Sequence, residues 1–391
     1  MSERYFAPCP RGLEAALASE LSALGAQFVT PAEGGVGFAG PIELAYRANL
    51  ESRLASRILW QVAHGRYRNE DEIYWLANGV DWKRHFTGER TLRVDVTATR
   101  APLASIEYAT LKSMDAVCDR FRADSGKRPS VDKKRPDVRI YGYLAEKEAT
   151  LYLDTSGEAL FKRGWRRDTD VAPLRENLAA GNLALAGWAP GTPLLDPMCG
   201  AGTLAIEAAL AAADRAPGLQ RTFGFQKLSW YDGPTWQRIR QRAHDRARPP
   251  TGAPTIFASD IDARAVAQCS RNAAAAGVAE WLDVSEADVL ARAAPMQAGL
   301  LITNPPYGVR LDDEASLAAF YPKLGDALKQ RYAGWTACLF TGDSRLPKLI
   351  GLKPSKRTPL YNGAIECRLF RFEVVAGRPK RASQPAIAAS R

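Results

Sequence analysis

The sequence has few residues of the kinds that build metal sites or disulfide frameworks. Its three histidines show no ligand spacing, its six cysteines are widely scattered, and no C-x-x-C pair occurs. A structural zinc site or a disulfide framework is therefore not expected. The N-terminus lacks an apolar signal region, and no apolar run is long enough to span a bilayer. We therefore expect a cytoplasmic protein in a reducing environment that holds no metal and does not enter a membrane.

Acidic residues are also under-represented, with 43 against 53 basic residues, which gives a formal net charge of +10. Such an excess favours a polyanionic partner, although it would equally suit a well-solubilised enzyme. Hydrophobic residues make up 46% of the chain, enough for a globular core. Because 391 residues exceed the size of a usual single core, we expect two or three domains.

The N-terminal half predicts two small units and a linker. Residues 1–66 predict an α/β unit, in which the apolar pattern indicates a helix over 42–62. Residues 67–155 alternate strand and helix patterns in a way typical of helices that cover an antiparallel sheet. Residues 156–171 are polar and contain two glycines, so they predict a linker.

The C-terminal half predicts a doubly wound α/β domain over residues 172–375. Strand-like runs alternate with helical patterns, which is typical of a mostly parallel sheet. A basic insertion interrupts the alternation at 214–252. Near the end of the domain, Asn362-Gly363 between two strand-like runs predicts an antiparallel hairpin at the sheet edge. Residues 376–391 predict a disordered tail.

A glycine-rich turn follows a short apolar strand at 192–195. Its residues are Asp196, Pro197, Met198, Cys199, Gly200, Ala201 and Gly202. The G-x-G-x-x-A pattern alone is a weak dinucleotide signal, and a dinucleotide site expects an acid about twenty residues further on. Here the next strand ends at Asp260, fifty-eight residues after Gly202. Asp196 would repel a pyrophosphate, whereas it suits the ammonium of S-adenosylmethionine.

Three further residues complete the expected cofactor site. Asp260 would accept hydrogen bonds from the two ribose hydroxyls, with a helix N-cap as the alternative role. Ile261 beside it could cover one face of the adenine. Asp288 would accept from the adenine amino group, and a turn or capping role is nearly as well supported. Cys199 has no base nearby in sequence and is interpreted as a small buried packing residue.

A second motif, Asn304-Pro305-Pro306-Tyr307, follows an apolar strand at 300–303. The Asn304 side-chain oxygen and the Pro305 carbonyl can accept both hydrogens of a planar exocyclic amine, while the prolines lock φ. Tyr307 could stack on a base that has left its helix or loop. The motif therefore predicts methyl transfer to such an amine, in which positioning supplies most of the catalysis.

Two stretches combine features of nucleic-acid contact. Residues 120–139 hold eight basic residues against three acids, and residues 215–248 hold eight against two. The second stretch also contains Phe223, Phe225, Trp230, Tyr231 and Trp236. Basic residues interleaved with aromatics suit phosphate contact and base stacking. For the aromatics, a local packing cluster is the stronger interpretation; for the arginines, we expect RNA contact.

Taken together, residues 196–207 and 304–308 resemble the motifs of the THUMP-domain class I methyltransferases, and 175–180 resemble the helix that opens their catalytic domain. The resemblance covers nearly the whole chain. It implies a ferredoxin-like unit at 1–66, a THUMP RNA-binding domain at 67–155 and a Rossmann-like methyltransferase domain behind them. One departure is Ala201, where the family usually has Ser or Thr.

Within that family the chain is most similar to the bacterial enzymes that methylate guanine N2 in 23S rRNA. The resemblance implies S-adenosylmethionine as cofactor and RNA as partner, either 23S rRNA or a pre-large-subunit particle. The same architecture also serves tRNA guanine-N2 methyltransferases, so a tRNA guanine or adenine-N6 activity is the alternative. A non-catalytic RNA-binding assembly factor is a third possibility, against which the intact motifs argue.

Overall fold

The computed structural model describes residues 2–166, 174–305 and 311–375, without the side chains of 311–317. The predicted tail at 376–391 lies outside these ranges. No described helix is both long and apolar enough to cross a membrane. All six cysteines are buried and free.

Seven strands in the described N-terminal part form one continuous sheet. They are β1 (Glu3–Pro8), β2 (Gln27–Ala32), β3 (Gly35–Gly40), β4 (Leu59–Arg66), β5 (Leu92–Ala98), β6 (Val138–Leu144) and β7 (Glu148–Asp154). Their order is β2-β3-β1-β4-β7-β6-β5, and all neighbours are antiparallel except β5 and β6. Because β4 pairs with both β1 and β7, the two predicted N-terminal units share a single sheet.

The helices of this part cover one face of the sheet. They are α1 (Glu14–Ala23), α2 (Ile42–Glu51), α3 (Glu70–Asn78) and α4 (Ile106–Ser125), together with a 3-10 turn at Trp82–Arg84. Tyr5 pairs with Trp60, and Trp60 pairs with Leu153 in the next strand, so these buried side chains lie on the same face. They join the core beneath the helices.

The prediction of a helix over 42–62 is wrong beyond its first half. The chain leaves α2 at Ser52, whose backbone is extended, and enters β4 at Leu59. The carboxylate of Glu20 accepts hydrogen bonds from the Ser52 hydroxyl and from the backbone N–H of Arg53, at 2.5 and 2.9 Å. This long-range anchor offers the backbone an alternative to continued helix, and the apolar periodicity cannot reveal it.

Seven strands of the described C-terminal part form a second sheet. They are β8 (Leu194–Asp196), β9 (Ile256–Asp260), β10 (Leu282–Glu286), β11 (Leu300–Thr303), β12 (Thr336–Thr341), β13 (Lys356–Asn362) and β14 (Ile365–Glu373). Their order is β10-β9-β8-β11-β12-β14-β13. The first five strands are parallel, and β14 is antiparallel to both of its neighbours, β12 and β13. The predicted Rossmann-like sheet with its C-terminal hairpin is confirmed. The order reverses at β8, which marks the topological switch point.

Helices flank this sheet and fill the insertion. They are α5 (Glu176–Ala186), α6 (Thr203–Ala212), α7 (Gly233–Asp245), α8 (Ala263–Ala276), α9 (Leu311–Arg331) and α10 (Leu346–Leu349), with 3-10 turns at Gly224–Lys227 and Ala279–Trp281. The insertion contains α7, and its aromatic rings surround Tyr46 of α2. Phe225 and Trp230 lie 4.6 and 5.9 Å from the Tyr46 ring. The packing interpretation of these aromatics is confirmed.

A buried ion pair joins the N-terminal part to helix α6, which flanks the second sheet. Arg163, 2% exposed, bonds Glu207 of α6 through Nε at 3.2 Å and donates to the Arg53 carbonyl. In return, Arg53 donates to the Leu210 carbonyl at the end of α6. The described residues of the predicted linker, 156–166, are therefore part of the interface between the two sheets.

Removing the charge of Glu207 tests how much this interface depends on the pair. Glu207→Gln would leave the buried guanidinium of Arg163 without its counter-charge, so we expect the free energy of unfolding to fall by ~3–5 kcal/mol. Chemical denaturation followed by tryptophan fluorescence measures this. Glu89→Gln, at the exposed pair with Lys127, is the matched control and should change stability little. Equal stability of the two variants would show that the pair does not hold the interface.

Candidate active site

The two sequence motifs meet at one edge of the second sheet. β8 and β11 are neighbouring parallel strands, in register at Leu194 with Leu300 and at Leu195 with Leu301. Neighbouring strands lie about 4.8 Å apart. Asp196 is the last residue of β8 and Asn304 directly follows β11, so both lie at the carboxyl edge of the sheet, where open α/β sheets bind ligands.

The turn after β8 requires glycine at two positions. Gly200 and Gly202 have φ values of 50° and 82°, in the left-handed region that glycine adopts without strain. A Cβ on Gly202 would also lie 2.4 Å from the Sγ of Cys269 in α8. Asn272 of α8 donates to the Ala201 carbonyl at 3.0 Å. The turn is thus held against α8 with its backbone close to the strand ends.

Asp196 is a buried carboxyl group, 2% exposed, followed by the buried Pro197. Burial raises the pKa of Asp196 to about 7, in spite of a hydrogen bond from the Met198 backbone N–H at 3.4 Å. No ion pair with Asp196 occurs within the described ranges. A buried carboxylate that lacks a counter-charge favours a cationic ligand, because the cation would offset the cost of ionisation.

Asp260 ties the end of β9 to the glycine turn. Its Oδ2 accepts from the Gly200 backbone N–H at 2.9 Å, and its Oδ1 accepts from the Asp262 N–H at 3.1 Å. The N-cap of α8 is Asp262, whose side chain accepts from the Arg264 N–H. The alternative role of Asp260 as a helix N-cap is therefore wrong. Each oxygen of Asp260 can accept one more hydrogen bond, so the carboxylate could bind the two hydroxyls of a ribose.

Ile261 and Asp288 lie beside Asp260. Ile261 is 70% exposed. The Ala287 backbone N–H donates to the Asp260 carbonyl, which places Asp288 at the same edge. Asp288 accepts from the Leu290 N–H at 2.9 Å, so the turn role is present. An exposed apolar side chain near the acceptors of Asp260 and Asp288 suits the binding of a nucleoside. The contacts of Ile261 and Asp288 with adenine stay predictions.

Asn304 carries a buried polar atom that lacks a protein partner. Its Oδ1 is inaccessible to solvent and finds no hydrogen-bond donor among the described residues. Pro305 beside it is buried, while Pro306 and Tyr307 lie outside the described residues. An unpaired buried acceptor costs ~1–3 kcal/mol. Such a cost at the carboxyl edge of a sheet points to a ligand donor that satisfies the oxygen.

One contributor to the site was not predicted from the sequence. Arg166, assigned to the linker, pairs with Glu176 at the start of α5 and donates to the Thr203 Oγ1, both at 3.0 Å. Thr203 is the first residue of α6, directly after Gly202. Arg166 therefore holds the start of α6 and the glycine turn in place. The sequence signal that could have revealed this contact is Glu176 in the motif at 175–177. Its carboxylate is buried at the start of α5 and is paired with Arg166.

The arrangement suits a cationic small molecule that carries hydroxyl groups. Beside it, two hydrogen-bond acceptors are placed to hold the amine of a second molecule. Asp196 offers a counter-charge, Asp260 offers acceptors for hydroxyls, and Asn304 and Pro305 offer acceptors for a second molecule. The described ranges contain no cluster of three or more His, Cys, Asp or Glu residues that could hold a metal ion.

Three family models match successive parts of the chain. Residues 4–59 match the RlmL ferredoxin-like domain, residues 67–154 the THUMP domain, and residues 163–371 the RMKL-like methyltransferase domain. The described part of the third match contains every residue of the site above.

Similarity over nearly the whole of this chain extends to curated relatives and to solved structures. The ribosomal RNA large subunit methyltransferase K/L of Aeromonas hydrophila is 39% identical over 95% of this chain. The chain spans 54% of that relative, so it covers about half of the relative's length. SMU.472, solved in complex with SAH, is 29% identical with a TM-score of 0.85, covering 97% of this chain and 99% of that one. A possible methylase from Clostridium difficile 630 is 28% identical with a TM-score of 0.88, covering 98% and 100%.

Replacing Asp260 tests its proposed contact with a ribose. Asp260→Ala removes the acceptor and frees the Gly200 N–H, so S-adenosylmethionine affinity should fall by ~1–3 kcal/mol. Isothermal titration calorimetry measures this. Asp262→Ala is the matched control, because it removes the helix cap and an exposed ion pair with Arg264 and should lower thermal stability without changing affinity. Unchanged affinity in Asp260→Ala would reject the ribose contact.

The raised pKa of Asp196 predicts a pH-dependent affinity. Without ligand the carboxyl is mostly neutral below about pH 7 and ionised above it. The ligand amine stays cationic up to about pH 7.7. Affinity for S-adenosylmethionine should therefore rise by about tenfold from pH 5.5 to 7.0, since the cation binds the ionised carboxylate. Asp196→Asn should bind more weakly and lose this rise; a flat profile for the unaltered protein would contradict the assignment.

Proposed function

The chain belongs to the RMKL-like methyltransferase family, and we propose that it transfers a methyl group from S-adenosylmethionine to the N2 amine of a guanine in 23S rRNA. The succession of ferredoxin-like, THUMP and methyltransferase domains supports this proposal. So does the similarity to relatives named ribosomal RNA large subunit methyltransferases. The family relationship supports the inference that the protein is a methyltransferase. The site geometry supports the inference that the acceptor is an amine.

The residues at the carboxyl edge fit the cofactor. Asp196 would hold its ammonium group, Asp260 its ribose hydroxyls, and Asp288 its adenine amine, with Ile261 against the ring. The glycines of the turn allow close approach of the ligand to the backbone. The binding of SAH by the similar protein SMU.472 supports the same ligand class here. When bound, S-adenosylmethionine supplies a methyl group on a sulfonium, which needs little activation.

The unpaired Oδ1 of Asn304 is the observation that carries the proposal. A purine amine is a weak nucleophile because its lone pair is delocalised into the ring. Two acceptors, Asn304 Oδ1 and the Pro305 carbonyl, would hold both amine hydrogens and turn the lone pair out of the ring plane. Held in this way, the amine nitrogen would accept the methyl group that bound S-adenosylmethionine supplies, and the amine would lose one of its two hydrogens as a proton to water. The burial of the Asn304 oxygen preorganises it for this step.

Surface charge supports an RNA substrate. In the basic stretch 120–139, Lys133, Lys134 and Arg135 are exposed and form no ion pair among the described residues. In the insertion, Arg238 and Arg242 are likewise exposed without an ion pair in the described ranges. Such free cations suit contact with phosphates.

One insertion arginine requires a correction. Arg221 donates to the backbone carbonyls of Ala159, Glu158 and Lys162, so it is a structural residue that fastens the insertion to the segment before α5. Burial lowers the pKa of Arg221 to about 10. The expectation of RNA contact therefore falls on the exposed arginines of α7.

The alternative functions differ from the proposed one in the RNA that is methylated or in the absence of catalysis. A tRNA guanine-N2 or adenine-N6 methyltransferase would use the same acceptor pair, and a non-catalytic assembly factor would bind RNA without turnover. The names of the curated relatives favour large-subunit rRNA. The proposal also includes a cytoplasmic location and, as the RNA partner, 23S rRNA or a pre-large-subunit particle that contains it.

Asn304→Ala tests the mechanism. It removes an acceptor that acts on the target amine while leaving the residues around Asp196 and Asp260 in place. Single-turnover methylation of 23S rRNA should slow by roughly 10²–10³, with S-adenosylmethionine affinity nearly unchanged, because the lost interaction matters chiefly in the transition state.

Asn182→Ala is the matched control. Asn182 in α5 also has a buried side-chain oxygen without a partner among the described residues, yet it lies away from the carboxyl edge. Its replacement should leave the methylation rate close to that of the unaltered protein. A near-normal rate in Asn304→Ala would refute the amine-holding role, even if methylation of 23S rRNA is observed.

A further inference from the structure

The N-terminal sheet has a second face that no described helix covers. Strand register assigns the side chains to faces: Gln61 pairs with Tyr152, Tyr152 with Tyr141, and Tyr141 with Asp95. These residues alternate with the buried ones that form the core beneath the helices, and they belong to no buried core cluster. They are half-buried. The face is therefore open along β4, β7, β6 and β5.

Aromatic rings form a row across this open face. Tyr152 of β7 lies directly opposite Tyr141 of β6, and Phe6 of β1 contacts Tyr152 with ring centroids 6.0 Å apart. Tyr143, two residues beyond Tyr141 on the same face, is 42% exposed. The row runs across four neighbouring strands, β1, β4, β7 and β6, which is a span of about 14 Å at the usual strand spacing. An open sheet face is normally polar, so this row needs an explanation.

Guanidinium groups lie beside the row. Arg57 lies over the Tyr141 ring at 5.5 Å and is paired with the buried Asp154. Arg4 and Arg139 border the row and form no ion pair within the described ranges. The acid nearest the row on β5, Asp95, is paired with Arg93 at 2.8 Å. Aromatic surface bordered by free guanidinium groups is complementary to bases joined by phosphates.

We propose that this open face, defined by Phe6, Tyr141, Tyr143 and Tyr152, binds single-stranded RNA by base stacking. The proposal rests on an RNA substrate, as in the proposed function, and assigns it a contact surface on the sheet. Aromatic side chains on an open sheet stack unpaired bases in other RNA-binding folds. Arg4 and Arg139 hold the phosphates beside the stacked bases. The surface therefore captures an unpaired segment of the substrate while another nucleotide of it occupies the methyl-transfer site.

Charge and geometry favour single-stranded RNA over a protein partner, a second copy of the chain or duplex RNA on this face. A protein partner or a second copy of the chain would favour a face with fewer unpaired guanidinium groups, since each would need a counter-charge on burial. Duplex RNA keeps its bases stacked on one another and cannot offer them to the rings. The surface should therefore prefer single strands over duplexes of the same sequence.

Binding of a fluorescein-labelled twelve-nucleotide RNA to the full chain, followed by anisotropy, tests the proposal. Tyr143→Ala should weaken single-strand binding on the order of tenfold, while Tyr143→Phe, which keeps the ring, should bind normally. The same RNA annealed to its complement should show little difference between the variants. Arg139→Gln should weaken binding and reduce its salt dependence by about one counterion.

Tyr108→Ala is the matched control, because Tyr108 is 49% exposed on α4, on the helix-covered side. It should bind single strands normally. Unchanged affinity in Tyr143→Ala, or an equal loss in Tyr108→Ala, would overturn the proposal. So would a change in oligomeric state of Tyr143→Ala, measured by sedimentation, at unchanged RNA affinity.

Methylation of 23S rRNA by the unaltered protein, measured in parallel, separates this proposal from the proposed function. Methylation together with unchanged RNA affinity in Tyr143→Ala would overturn the stacking surface alone. Absence of methylation together with the expected loss of single-strand binding would overturn the proposed function and leave the stacking surface standing.

Discussion

The parallel register of β8 and β11 is the constraint on which the candidate site depends. It brings a buried carboxyl group, Asp196, and a buried unpaired amide oxygen, that of Asn304, to the same edge of the sheet. Burial disfavours both groups without a ligand, because Asp196 has no counter-charge and the Asn304 oxygen has no hydrogen-bond donor among the described residues. One favours a cation and the other a hydrogen-bond donor. The proposed transfer of a methyl group from a cationic donor to an amine satisfies both.

The buried pair of Arg163 and Glu207 extends this constraint to the N-terminal sheet. Buried ion pairs contribute little net stability, because desolvation offsets their attraction. We infer that this pair is important for geometry: it fixes α6, which begins directly after the glycine turn, relative to the chain at Arg53. The sheet that carries the proposed RNA surface and the turn that would hold the cofactor thus form one frame, across which a single RNA could bind.

Local patterns were sufficient to predict the central strands and the motifs at their ends, because buried parallel strands are short apolar runs followed by turn residues. They failed where distant contacts decide the structure. The 42–62 helix was overextended because Glu20 redirects the chain at Ser52. The edge strand β2 is largely exposed, so no alternation of apolar and polar residues marks it in the sequence. Arg163 and Arg166 were assigned to a linker because charge usually indicates exposure, whereas partners in α6 and α5 bury them.

The most direct test of the central claim is the identity of the methylated nucleoside. Purified protein, S-adenosylmethionine with a tritiated methyl group and separately fractionated unmodified 23S rRNA and tRNA would be combined, and the RNA digested to nucleosides for chromatography and mass spectrometry. The account predicts label in 23S rRNA as N2-methylguanosine. Label in another nucleoside, label confined to tRNA, or no incorporation by a protein that binds the cofactor would contradict it.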